Sequence, residues 1–247
     1  MDLGISGRTA LVTGASRGLG FSSAKALSKA GVKVCLVSRS ADHLLSAVQE
    51  LSSDCHSITS DLSDSSSIQI MLEQVEKEFG KVDILVANAG GPPPGNFETT
   101  ALEDFSTALQ LNLLSTVEMC KELIPKMVNE GWGRVVAVTS IAVREPMAQL
   151  ILSNTARSGL TSFLKTTATE VARSGVTVNS IQPGLHATER LTELYDDLKG
   201  VADNVPTGKL GDPDDFGDVV AFLCSEQAKF ITGAAIPVDG GAAKGLQ

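Results

Sequence analysis

Short apolar, β-branched runs alternate with helix-length segments from one end of the chain to the other, and this alternation constrains the fold more than any other feature. Thr9–Thr13 is the first run; it meets a glycine turn, then good helix formers from Gly18 to Ala30, with Gly31 as a stop. Val32–Val37, Cys55–Ile58, Val82–Ala87, Arg134–Thr139, Val176–Ile181 and Ala235–Val238 continue the series, so about seven strands are expected. The predicted helices between them are Asp42–Leu51, a segment capped by Ser63 or Asp64 and ending at Phe79, a long stretch from Glu103 to Asn129 with Pro125 as a kink, Leu152–Arg173, and Asp214–Cys224. Gly90–Gly95, with three consecutive prolines, reads as a loop, and residues 185–211 read as irregular. Strands that are apolar throughout and separated by helices predict a parallel sheet covered on both faces. The fold class is doubly wound α/β.

A chain of 247 residues fits one such domain, 1–247. Apolar residues make up 43%, enough for a buried core, and this excludes a disordered chain. Lys and Arg total 20 against 29 Asp and Glu, a net charge of −9 that disfavours nucleic acid and anionic membrane as partners. The N-terminal residues lack the basic and apolar regions of a secretory signal, and no apolar run approaches the ~18 residues of a membrane span, so a cytoplasmic protein is expected. Cys35, Cys55, Cys120 and Cys224 are widely separated with no histidine at ligand spacing; free thiols are expected, and no metal.

In such sheets ligands lie beyond the carboxyl ends of the strands. After the first strand stand Gly14, Ala15, Ser16, Arg17, Gly18, Leu19 and Gly20, a G-x-x-x-G-x-G spacing that lets backbone approach a pyrophosphate at a helix N-terminus. A Rossmann-type dinucleotide site is therefore expected. An NAD-specific site usually places an acid at the end of the second strand; this chain has Ser38-Arg39. Arg39 with Arg17 offers charge-assisted hydrogen bonds to a 2′-phosphate, which favours NADP(H) and leaves NAD(H) as the alternative.

With those residues in view, the chain resembles the short-chain dehydrogenase/reductase family, and in particular its 3-oxoacyl-carrier-protein-reductase-like members, along essentially its whole length. The resemblance rests on T-G-A-S-R-G-L-G at 13–20, Asp61-Leu62, Ala87-Asn88-Ala89-Gly90, Asn112, Ser140, Pro183-Gly184 with Thr188, Thr232-Gly233, and Val238 to Gly241. It implies cofactor contacts from Asp61, Leu62, Asn88, Ala89, Gly90, Pro183, Gly184 and Thr188, a substrate lid over about 185–211, and a homotetramer or homodimer. It also implies hydride transfer between nicotinamide and a ketone or secondary alcohol, including a 3-oxoacyl thioester.

The family's Y-x-x-x-K pair is replaced. Counting from Ser140 reaches Ser153 and Arg157 in place of Tyr and Lys. A serine hydroxyl is a far weaker acid than a phenol, and arginine stays protonated, so Arg157 holds ribose hydroxyls and stabilises an alkoxide without relaying protons. Ser140, Ser153, Arg157 and Asn112 are the catalytic candidates. The proton source is left open among water, Ser153, His186 in the loop behind Pro183-Gly184, and Tyr195, which fits the letters Y-x-x-x-K with Lys199 but stands in the lid. Losing a dedicated general acid typically costs ~10²- to 10⁴-fold, leaving a slow enzyme. His43 and His56 are unassigned. A competing reading is an NADP(H)-binding sensor or non-catalytic subunit with a degenerate site. A hydrolase has little support, since no Ser-His-acid arrangement is apparent.

Overall fold

Successive residues of strand β1 (Thr9–Thr13) enter two different cores, Leu11 on one face of the sheet and Ala10 and Val12 on the other. The computed structural model describes residues 2–51 and 54–245. Around β1 lie β2 (Lys33–Ser38), β3 (Cys55–Thr59), β4 (Ile84–Ala87), β5 (Gly133–Val138), β6 (Val176–Pro183) and β7 (Ala235–Val238). All pair in parallel in the order β3-β2-β1-β4-β5-β6-β7, so connections depart in opposite directions from β1 and a crevice opens between β1 and β4. The doubly wound α/β class is as expected.

Three helices cover one face: α3 (Ser65–Gln74), α5 (Ser115–Glu130) and α6 (Ile151–Val171), which bury Ile68, Met119 and Leu160 against Leu11, Leu85 and Val135. The other face carries α1 (Gly18–Lys29), α2 (Ala41–Glu50) and α9 (Pro213–Leu223), with Leu27, Leu44 and Phe216 over Val12, Val34 and Ile84. A one-residue slip in any central strand would exchange these two sets, so register is strongly specified. Local chemistry sets the helix starts: Ser40 accepts from His43 N–H, Asp64 from Ser66 N–H, and Asp212, followed by Pro213, from Asp214 N–H.

Two expectations are corrected. The predicted helix over 103–129 is three pieces, α4 (Leu102–Leu109), a π-helical turn over Gln110–Leu114, and α5, so the irregularity lies ahead of Pro125. Two local bonds accompany the turn: Ser115 Oγ donates to Leu111 O, and Asn112 Nδ2 reaches out to Gly90 O. A second π turn over Val75–Phe79 ends the segment that begins with α3. The stretch 185–211 is not irregular throughout; it holds α7 (Glu189–Leu194) and α8 (Leu198–Asp203). Those helices are too short for hydrophobic periodicity to reveal.

Helices α1 and α9 pack closely because Gly217 lies against the backbone of α1: a Cβ there would stand 2.3 Å from Ser22 O. Gly217→Ala therefore forces the helices apart, and urea denaturation should show a loss of about 1–3 kcal/mol. An unchanged midpoint would contradict this packing.

Candidate functional site

A cavity of about 410 Å³ occupies the crevice at the carboxyl ends of the strands, bordered by the glycine turn, Ser38 and Arg39 after β2, Asn88 after β4, Thr139 after β5, and Pro183 at the end of β6. Its upper wall is the glycine turn. Gly14 O accepts from Asn88 Nδ2 at 3.1 Å, while Thr13 Oγ1 donates to Asn88 O and accepts from Asn88 N–H, so the ends of β1 and β4 are locked together. Helix α1 begins directly on this clamp: a Cβ at Gly20 would lie 2.2 Å from Gly14 O, and one at Gly14 would lie 2.7 Å from Asn88 Nδ2. No side chain caps α1, and among the described residues the N–H groups of Gly18, Leu19 and Gly20 have no hydrogen-bond partner. Open donors at a positive helix end, on a backbone that only glycine permits, suit a pyrophosphate.

The second strand ends in hydroxyl and cation. Ser38 Oγ and Ser16 Oγ are 2.9 Å apart at the cavity wall, and Arg39 is exposed there with no ion pair among the described residues. Arg17 is also in the lining, but its guanidinium is taken: Nη1 lies 2.7 Å from Glu189 and 3.3 Å from Glu193, both on α7. The Glu189 hydrogen bond leads in pushing its pKa up, against a small burial effect. Asp61 does not line the cavity. Its carboxylate accepts from Ser63 N–H and Ser63 Oγ; burial pushes its pKa up, but those bonds and the Arg39 charge outweigh it and hold it below the ordinary carboxylate value. Leu62, Ala89, Gly90 and Thr188 do border the cavity, whereas Gly20 and Gly184 act behind it as close-packing positions.

Arg157 lies in the floor. Carried on α6 and 7% exposed, it donates from Nη1 to Val138 O at 2.7 Å and Thr139 O at 3.1 Å, and from Nη2 to Ala89 O at 3.3 Å. No carboxylate pairs with it among the described residues. Burial pulls its pKa down to about 10, which still leaves it cationic at neutral pH. Ser153, one helical turn earlier, is 9% exposed, and its hydroxyl makes no hydrogen bond within the described chain. Ser140 follows β5 and accepts from Ala142 N–H as the cap of a short 3₁₀ turn. Asn112 is buried in the π turn, donating to Gly90 O while its Oδ1 has no partner. Of these four, Arg157 alone borders the cavity.

His186 and Tyr195, left open as proton sources, both lie outside the cavity. His186 is 5% exposed, stacks edge-on against Phe216 at 5.1 Å, and lies outside the cavity. It forms the stem of the lid, where Ala187 N–H donates to Gly211 O and Gly211 N–H to Leu185 O. Tyr195 ends α7, half-exposed and also outside the cavity. The sequence reading missed Glu189, Arg190 and Glu193, which form the lid wall; the available signal was the pair of acids at i, i+4 spacing just after Thr188, opposite in sign to Arg17. Among the described residues no group of three or more His, Cys, Asp or Glu converges to hold a metal, and no helix is long and apolar enough to cross a membrane.

Two outcomes follow from the burial of Arg157 and His186. Arg157→Met leaves three buried carbonyl oxygens without donors and should cost at least about 3 kcal/mol in urea denaturation, with Arg157→Lys intermediate; equal stability of all three proteins would contradict the bracing role. Burial leads in holding the His186 pKa below 6.5, opposed by the Gly184 carbonyl and Asp212, so the folded stem favours the neutral ring. The unfolded chain then binds the proton more readily, and stability falls as pH drops through and below 6.5. Amide exchange in 185–211, corrected for intrinsic rates, should speed up from pH 7 to pH 5 and lose this acceleration in His186→Phe; identical profiles would refute it.

Residues 14–243 match the family described as enoyl-(acyl carrier protein) reductase. The 3-oxoacyl-[acyl-carrier-protein] reductase FabG of Aquifex aeolicus is 31% identical over 98% of this chain and 99% of its own length. FabG of Escherichia coli K12 is 34% identical over 95% of this chain and 97% of its own. The crystal structure of L-sorbose reductase from Gluconobacter frateurii, complexed with NADPH and L-sorbose, superposes with a TM-score of 0.94 at 32% identity and full coverage of both chains. The glycine clamp, the crevice at the strand switch and full-length identity to these reductases agree: the chain belongs to the short-chain dehydrogenase/reductase family of oxidoreductases.

Proposed function

We propose that the chain is an NADP(H)-dependent reductase of a ketone, working in reverse on a secondary alcohol. The observation that carries the cofactor choice is the exposed Arg39, without an ion pair among the described residues, beside Ser38 at the cavity wall, where an NAD-specific site would place an acid. Gly18, Leu19 and Gly20 offer backbone donors to the pyrophosphate, Arg39 and Arg17 hold the 2′-phosphate, and Asn88 keeps the turn in place. When bound, the dinucleotide supplies a hydride to the carbonyl carbon.

The chain's own groups then handle the oxygen. Ser140, which stands outside the cavity lining, spends a lone pair on Ala142 N–H and keeps its hydroxyl hydrogen, which reaches the carbonyl once its side chain turns toward a bound substrate. Arg157, anchored by Val138, Thr139 and Ala89, supplies fixed positive potential as charge grows on that oxygen. The Ser153 hydroxyl, also outside the lining and without a hydrogen-bond partner among the described residues, relays a proton drawn from water, and the product is an alcohol. A relayed water proton is slower than a phenol beside a lysine, so this site favours low turnover. The L-sorbose complex of one relative and the 3-oxoacyl substrates named for others support keto sugars and 3-oxoacyl thioesters as the first compounds to offer.

NADPH absorbance should fall with at least one member of a panel of ketones, keto sugars and 3-oxoacyl thioesters. Tight cofactor binding with no oxidation across the panel would overturn the reductase reading. Arg39→Asp should weaken NADPH at least about tenfold more than NADH, the scale of one charge-assisted bond lost and one repulsion gained. Equal loss for both cofactors would refute the 2′-phosphate assignment.

A further inference from the structure

Arg17 belongs to the glycine turn, yet its guanidinium is bound by the lid. Its Nη1 lies 2.7 Å from Glu189 Oε2 and 3.3 Å from Glu193 Oε1, and Glu193 Oε2 also receives Arg190 at 3.4 Å. Both acids stand one turn apart on α7, and both border the cavity. Just before them, Thr188 packs over Gly18, with 3.7 Å between its Cγ2 and a Cβ built on that glycine. The segment hangs from a narrow stem at His186 and Gly211, and only Leu191 of α7 is buried. Little apolar surface holds this helix against the body, so the ion pairs are a large part of what fixes it.

We infer that Glu189 and Glu193 are a latch that sets cofactor affinity and selectivity, by competing with the 2′-phosphate of the dinucleotide for Arg17. This rests on the NADP(H) reading above. A phosphate is a stronger partner for a guanidinium than an exposed carboxylate, and the two acids are repelled by it at the same place. Binding NADPH therefore moves Arg17 from lid to cofactor and frees α7, so cofactor entry precedes lid movement. NADH, without the 2′-phosphate, makes no such exchange.

The test compares the wild-type chain with Glu189→Gln/Glu193→Gln, titrating NADPH and NADH at low and high salt and following amide exchange over 189–205 without cofactor. All three groups are at the surface, where removing such pairs leaves folding intact. The double variant should bind NADPH about 3- to 10-fold more tightly than wild type, with NADH affinity changed less than about twofold, and the NADPH gain should shrink at high salt. Exchange over 189–205 should be faster in the variant before any cofactor is added. Equal gains for both cofactors would show general charge relief and overturn the latch, as would unchanged NADPH affinity in a wild-type chain that prefers NADPH. If wild type binds NADPH no better than NADH, the cofactor reading itself fails, and the latch falls with it.

Discussion

A guanidinium buried with no carboxylate beside it organises this crevice. Arg157 faces the carbonyl oxygens of Val138, Thr139 and Ala89, which terminate or directly follow β5 and β4. Parallel strands that stop at a crevice leave such oxygens without sheet partners, and burying them unpaired costs roughly 1–3 kcal/mol each. One planar fork of donors satisfies three at once. The same bonds keep the cation from drifting, so its charge is fixed at the cavity floor. Within a chain carrying −9 overall, this cavity is locally cationic: Arg17, Arg39, Arg157 and Arg190 border it against two acids, Glu189 and Glu193.

The crevice thus has two kinds of wall. The floor and the glycine side are over-determined, with Asn88 clamped to Gly14 and Thr13, and with Gly20 so close to Gly14 O that no side chain fits between them. The opposite wall belongs to the segment 185–211, whose two ends pair at His186 and Gly211 and which meets the rest of the chain through buried Leu191 and Val205 and exposed ion pairs. The cradle is thus rigid, and the facing wall is more weakly held. The loop over 91–97 is tied differently, through Gly95 N–H to Gln149 O and Ile151 N–H to Gly95 O, so it moves with the start of α6.

Much of this was legible in the residues. Alternating apolar runs dictated the sheet because burial on both faces of a parallel strand leaves no room for polar residues, and the glycine spacing identified the cradle because nothing else can approach Gly14 O so closely. The break at Gln110–Leu114 was hidden, since a π turn keeps helical composition and differs only in hydrogen bonding. Helices α7 and α8 were missed for their length. Side-chain direction was the larger gap: Asp61 turns to Ser63, His186 turns inward onto Phe216, and Arg17 reaches for the lid, none of which linear spacing can specify. Arg157 borders the crevice, and its commitment to three carbonyls depends on where β4 and β5 end in space.

The central claim is that this crevice holds a nicotinamide dinucleotide so that hydride passes directly from it to a carbonyl carbon, even without a phenol to share the work. Isotopic tracing tests it most directly. NADPH carrying deuterium on one or the other face of C4 is supplied with a turned-over ketone, and the carbinol carbon of the product is examined by mass spectrometry and NMR. Transfer of deuterium from one face only is the predicted result. Product lacking deuterium from either form, or labelled equally from both, would contradict a dinucleotide held in one fixed orientation against the Arg157 floor.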